Sequence, residues 1–269
     1  MRRRALRAFA VSVTALLLLV AGAFVGYRHP MPATRSGDAD ALARRMLAAV
    51  DADAWARTGA VRWTFFNGDR HLWDRARNLD RFEHKDTVTW IDLSTRRGVA
   101  RRGGARLSGA ALDGALSEAW ARWCNDSFWL NPVPKAFDDG VTRSLAVSDS
   151  GDDALLVSYR SGGVTPGDRY LWLLDANGRP RAWRMWVSVL PVPGLEASWG
   201  GWQRLATGAW VSTRHKLAVF TLELRDVAGA ATLAELVAGA DPFEELTAHA
   251  VGVESRSRGG DGPHSPDAT

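Results

Sequence analysis

Cysteine is almost absent from this chain. Cys124 is its sole thiol, so no internal disulfide can form and the core alone must hold the fold. Cys124 sits among Trp120, Ala121 and Trp123 with no histidine near it in sequence, which reads as a structural thiol and not a nucleophile. Catalytic signatures are missing as well. There is no Gly-x-Ser-x-Gly elbow, no phosphate-cradling glycine loop, no His-Glu-x-x-His and no cysteine pair. The histidines (His29, His71, His84, His215, His249, His264) are scattered. His71 and His84 across a hairpin, with Asp74, come nearest to a metal site, yet the sequence supports no metal, no cofactor and no catalytic residue. Asp126, Asp138, Asp139 and Asp168 read as turn formers, not as a paired acid and base.

A basic excess is missing from the body. The net charge is +4, but five of the 34 basic residues and none of the 30 acidic ones fall in residues 1–28. The remainder therefore carries one more acid than base, which argues against nucleic-acid binding. One basic cluster stands out: Arg96, Arg97, Arg101, Arg102 and Arg106. It reads as a solvated turn between strands, with contact to anionic lipid headgroups as the alternative.

Long apolar runs are also lacking, with one exception. Arg2, Arg3, Arg4 and Arg7 precede an apolar stretch over residues 8–25 that ends at Tyr27 and Arg28. That pattern describes a signal anchor or signal peptide over residues 1–28. The arginines keep the N-terminus cytoplasmic. The expected placement is a single pass through the inner membrane by residues 8–25, with the body in the periplasm or outside the cell. Ala21-Gly22-Ala23 offers a peptidase site, and cleavage after Ala23 would instead release the body into the periplasm.

What is present is a strand-rich body that holds all 13 tryptophans of a chain with three tyrosines. Residues 29–37 form a linker with two prolines. Leu42, Met46, Leu47, Val50 and Trp55 then recur at helical spacing, capped by Ser36 or Asp38 and ending near Gly59. Alternating strands follow at 61–65, 70–75, 79–85, 87–93 and 98–102, with Asn67-Gly68 as a turn. Leu112, Leu116, Ala119, Trp120 and Trp123 predict a helix over 108–123. Asp126 to Lys135, with Pro132 and Pro134, predicts an ordered aromatic loop. Further strands are expected at 154–160, 169–175, 180–190, 199–205, 209–214 and 219–226, and short helical turns at 232–237 and 242–246. Residues 254–269 have the composition of a disordered tail.

The segments Arg70-His71-Leu72-Trp73-Asp74, Asn125 to Lys135 and Thr165-Pro166-Gly167-Asp168-Arg169-Tyr170 resemble an uncharacterised branch of exported bacterial proteins. The order helix, strands, helix, strands resembles the periplasmic lipoprotein-carrier superfamily typified by LolA and LolB. The resemblance implies a mainly β (α+β) domain over residues 38–253. Its sheet would be a curved antiparallel incomplete β-barrel, with helices covering the concave side and one N-terminal transmembrane helix ahead of it. It implies a non-catalytic, membrane-tethered envelope protein holding an acyl chain, lipid or lipoprotein in an apolar cavity. Alternation places Val61, Trp63 and Phe65 on one face of their strand and Leu155, Val157 and Tyr159 on one face of theirs. With Trp90, Phe128, Trp129 and Trp186 these form the expected apolar lining, Phe128 and Trp129 at its rim. The competing reading is a structural or sensing envelope protein with a filled half-barrel core that binds a protein partner.

Overall fold

The computed structural model describes Gly22, residues 26–161 and residues 166–246. The expected membrane span (save Gly22) and the expected tail at 254–269 lie outside these residues. No helix among the described residues is long and apolar enough to cross a membrane.

The chain opens with β1 (Thr34–Arg35), α1 (Ala39–Ala49) and α2 (Ala52–Ala56). Next come β2 (Ala60–Thr64), β3 (Arg70–Asp74), β4 (Leu79–His84), β5 (Thr87–Asp92), β6 (Gly98–Arg102) and β7 (Ala105–Arg106). The long helix α3 (Gly109–Leu130) and a 3-10 turn (Val133–Phe137) precede β8 (Val141–Val147), β9 (Asp153–Tyr159), β10 (Arg169–Leu174) and β11 (Pro180–Trp186). Short strands complete the order: β12 (Leu195–Ser198), β13 (Gln203–Arg204), β14 (Trp210–Val211), β15 (Arg214–Leu217), β16 (Phe220–Glu223) and β17 (Arg225–Ala230), before α4 (Leu233–Leu236).

These elements build two compact units where the sequence suggested one domain. The first comprises Met1–Asp53, Leu130–Gln203 and Trp210–Glu223, the second Ala54–Trp129, Arg204–Ala209 and Leu224–Thr269. Each has its own large antiparallel sheet, and β13 pairs with β14 in a small separate one, so the single sheet expected is corrected to two large sheets and a two-stranded one. Neither strand order returns to its start, so no closed barrel forms among the described residues.

In the first unit the order is β1-β8-β9-β10-β11-β12-β15-β16. The turn joining β10 to β11 is specified by Asn177-Gly178, Gly178 taking φ 85°. The Asp175 carboxylate accepts the Asn177 and Arg179 N–H groups at 2.8 and 2.9 Å. Asp38 caps α1 by accepting the Ala41 N–H at 2.8 Å. The single helix expected here breaks at Asp51, whose φ of 52° cannot continue a right-handed helix. Arg184 is buried and held by both oxygens of Asp149 (3.0 and 2.6 Å) and by Glu196 (2.9 Å). These pairs offset the cost of burying its charge.

In the second unit the order is β17-β2-β3-β4-β5-β6-β7, and α3 packs on one face. Close approach of that helix depends on Gly98. A β-carbon there would meet the Trp90 carbonyl oxygen at 2.0 Å and Leu116 at 2.8 Å. The helix runs past Trp123 to Leu130, so Phe128 and Trp129 are helical and not in a loop. Pro132 restricts only the residue before it, and the helix ends one residue earlier still. The opposite face of the sheet, with Leu72, Leu79, Trp90 and Val99, is covered by Phe243, Leu233, Leu236, Val237 and Leu246.

Candidate functional site

The strand registers decide which expected lining residues share a face. In β2 to β5, Val61 pairs with Trp73 and Trp63 with His71, which in turn pairs with Phe82; Asp80 pairs with Ile91. Directly opposed residues project to the same side. Val61 and Trp63 therefore lie on the α3 face of the second unit, and both are buried, as is Phe65 just beyond the strand. Trp90 is on the other face, because it pairs with Arg81, Arg81 with Leu72 and Leu72 with Arg62. Its indole N–H donates to the Pro242 carbonyl at 2.7 Å. Phe128 and Trp129 are half-buried on the last turns of α3.

Leu155, Val157, Tyr159 and Trp186 belong to the first unit. Leu155 pairs with Trp172 and Val157 with Tyr170, which continue to Trp183 and Met185. This face carries a run of rings: Tyr159 to Tyr170 (5.7 Å), Tyr170 to Trp183 (4.7 Å), Trp183 to Trp199 (4.8 Å) and Trp199 to His215 (4.4 Å). Burial pushes the Tyr159 and Tyr170 hydroxyls above their ordinary range. Trp186 lies on the opposite face, packed with Leu156, Leu171 and Ala182. Trp90 and Trp186 are thus corrected: each sits across its sheet from the residues it was grouped with, because β5 and β11 are apolar on both sides.

The α3 face of the second unit also holds a cluster that sequence spacing alone does not bring together. His71 donates from Nδ1 to Asp80 at 2.8 Å and from Nε2 to Asp126 at 3.1 Å, and all three side chains are fully buried. Burial pushes the imidazole pKa down. The charge of Asp80 and the hydrogen bonds to both carboxylates outweigh that and lift it to about 9. Burial raises Asp80, and His71 only partly pulls it back. His71 stacks on Trp63 (4.5 Å, 12°) and meets Phe82 at a tilt (5.0 Å, 35°). Beside it, Asp69 accepts from His84 at 2.5 Å and faces Arg122 at 3.6 Å. Asp126 is therefore a helical ion-pair residue and not a turn former. The two histidines serve different aspartates, and Asp74 is taken by Arg77 at 2.6 Å. Among the described residues no set of His, Cys, Asp and Glu is arranged to hold a metal ion.

Towards the edge of this face the cover thins. Trp73, Leu116, Trp120 and Trp123 are only partly buried against Phe82, Ile91, Leu93 and Ala119. Trp73 and Trp123 meet edge to face at 5.1 Å, and Trp120 stacks on Trp123 at 5.5 Å. Their flanks are cationic: Arg75 lies 5.2 Å from the Trp73 ring and Arg96 4.3 Å from the Trp120 ring. Burial pulls the Arg75 guanidinium down to about 10. The indole N–H groups of Trp73 and Trp123 are shielded from solvent and find no acceptor among the described residues.

No protein-family model and no curated protein matches this chain. A solved structure from Vibrio parahaemolyticus, assigned as an outer membrane lipoprotein-sorting protein domain, aligns at a TM-score of 0.34 and 10% identity. The alignment covers 77% of this chain and 98% of that one. So slight a likeness carries no argument about what this chain does. The antiparallel, helix-poor architecture stands on the strand registers alone.

Proposed function

We propose that this protein is a non-catalytic envelope protein, tethered to the inner membrane by residues 8–25, that binds an acyl chain of a lipid or lipoprotein. The observation that carries this reading is the half-covered wall of Trp73, Trp120 and Trp123 in the second unit. Large aromatic rings left partly open at the margin of a core form the kind of surface an apolar chain covers. Burying about 14 methylenes at about 0.8 kcal/mol each gives on the order of 11 kcal/mol before ordering costs, so affinity needs no catalytic group. Fully buried Val61, Trp63, Phe65, Leu155 and Val157 favour the second reading, a filled core with a protein partner. Native mass spectrometry of the full chain, purified from its own membrane, separates the two. A co-purified acyl species that is lost in Trp120→Ala and Trp123→Ala supports the first reading. A ligand-free wild type overturns it.

A further inference from the structure

A separate pocket of about 340 Å³ opens on the face of the second sheet turned away from α3. It lies near the lower end of small-molecule sites, about 300–1,000 Å³. Its walls alternate in the register Arg62, Leu72, Arg81 on one row and Thr64, Arg70, Glu83 on the next. Glu83 is satisfied within the wall, one oxygen paired with Arg70 and the other with Arg81. Two groups are not. Arg62 reaches only the Leu236 carbonyl, at 3.4 Å, and has no carboxylate partner among the described residues. Asp226 accepts the Thr64 hydroxyl at 2.8 Å and has no cation partner among them. Both line the same pocket without pairing with each other. Asp226 is presented there by a break in register between Arg225 and Ala228, and its φ is 53°. Such bulges re-aim side chains next to functional sites.

We infer that this pocket binds a zwitterion, an oxyanion joined to an ammonium, of the phosphoethanolamine type. A bare anion would meet Asp226 and a bare cation would meet Arg62; a molecule carrying both signs answers each. The guanidinium fork suits a phosphate, and Leu72 and Val237 give an apolar surface for the carbons between and beyond the charges. The inference does not rest on the acyl-binding proposal, because the site lies across the sheet from the tryptophan wall.

Calorimetry on the full chain in a non-ionic detergent tests it, with glycerophosphoethanolamine, inorganic phosphate and ethanolamine as probes. The zwitterion is expected to bind at least about tenfold more tightly than either half. Arg62→Gln should reduce it to the level of ethanolamine and Asp226→Asn to the level of phosphate. Asn is at home at positive φ and Arg62 is exposed, so both variants keep the fold. Dihexanoyl phosphatidylethanolamine separates the sources: binding as tight as the soluble headgroup makes the ligand a lipid, weaker binding makes it a free solute. Equal binding of phosphate and zwitterion, or no binding of the zwitterion, overturns the inference.

Discussion

At the scale of single residues, His71 concentrates the electrostatics of the second unit. Its imidazolium pairs with both Asp80 and Asp126, and none of the three side chains reaches water. His71→Leu leaves two buried carboxylates facing each other and should cost about 3–5 kcal/mol in urea unfolding. The same residue sets a pH dependence. Its folded pKa of about 9 lies above the free value of 6.5, so its contribution is whole below pH 6.5 and is lost as pH rises towards 9. Melting at pH 9 should therefore fall below melting at pH 6, by on the order of 3 kcal/mol in stability. A flat profile across that window would show that His71 binds its proton no more tightly in the fold than in the unfolded chain.

At the scale of elements, two glycines make opposite predictions. Gly98 has backbone where its β-carbon would go, so Gly98→Ala should destabilise by about 2 kcal/mol or more as α3 is pushed off β6. Gly114 lies on the open side of α3 with nothing near it, so Gly114→Ala should stabilise by about 0.5–1 kcal/mol, read as a rise in the thermal midpoint. The strands β2 to β6 were legible because alternation and turn pairs such as Asn67-Gly68 act within a few residues. The last turns of α3 were not, because Pro132 and Pro134 look like breakers of the whole segment while a proline constrains only backwards. β8 carries no clear strand signal because Thr142, Arg143 and Ser144 dilute its apolar pattern. Arg143 is in fact a partly buried wall residue held by Asp40 at 2.6 Å. The His71 cluster was half legible. Asp80, Phe82 and His84 share one side of β4 by simple alternation, and a carboxylate on the apolar side of a strand asks for a partner. Asp126 lies 55 residues from His71, a distance that no local pattern spans.

At the scale of the whole molecule, each unit is assembled from separated stretches of chain. The second unit needs Ala54–Trp129 for six of its strands but takes its edge strand and its cover from Leu224 onward. A fragment of residues 54–129 should therefore stay unfolded, with collapsed amide dispersion in NMR spectra, and a peptide of residues 224–246 added in trans should restore it. A folded fragment on its own would show that β17 and the Phe243 cover are dispensable. The first unit is interrupted in the same way, since β12 pairs with β15 across the excursion through Arg204–Ala209. The ribosome makes this chain in one direction, and that gives the late strands a role in timing. Leu72, Leu79, Trp90 and Val99 emerge long before Phe243, which covers them. Each unit stays incomplete until its last strand, β16 in one and β17 in the other, has emerged, so stretches made early wait for partners made much later.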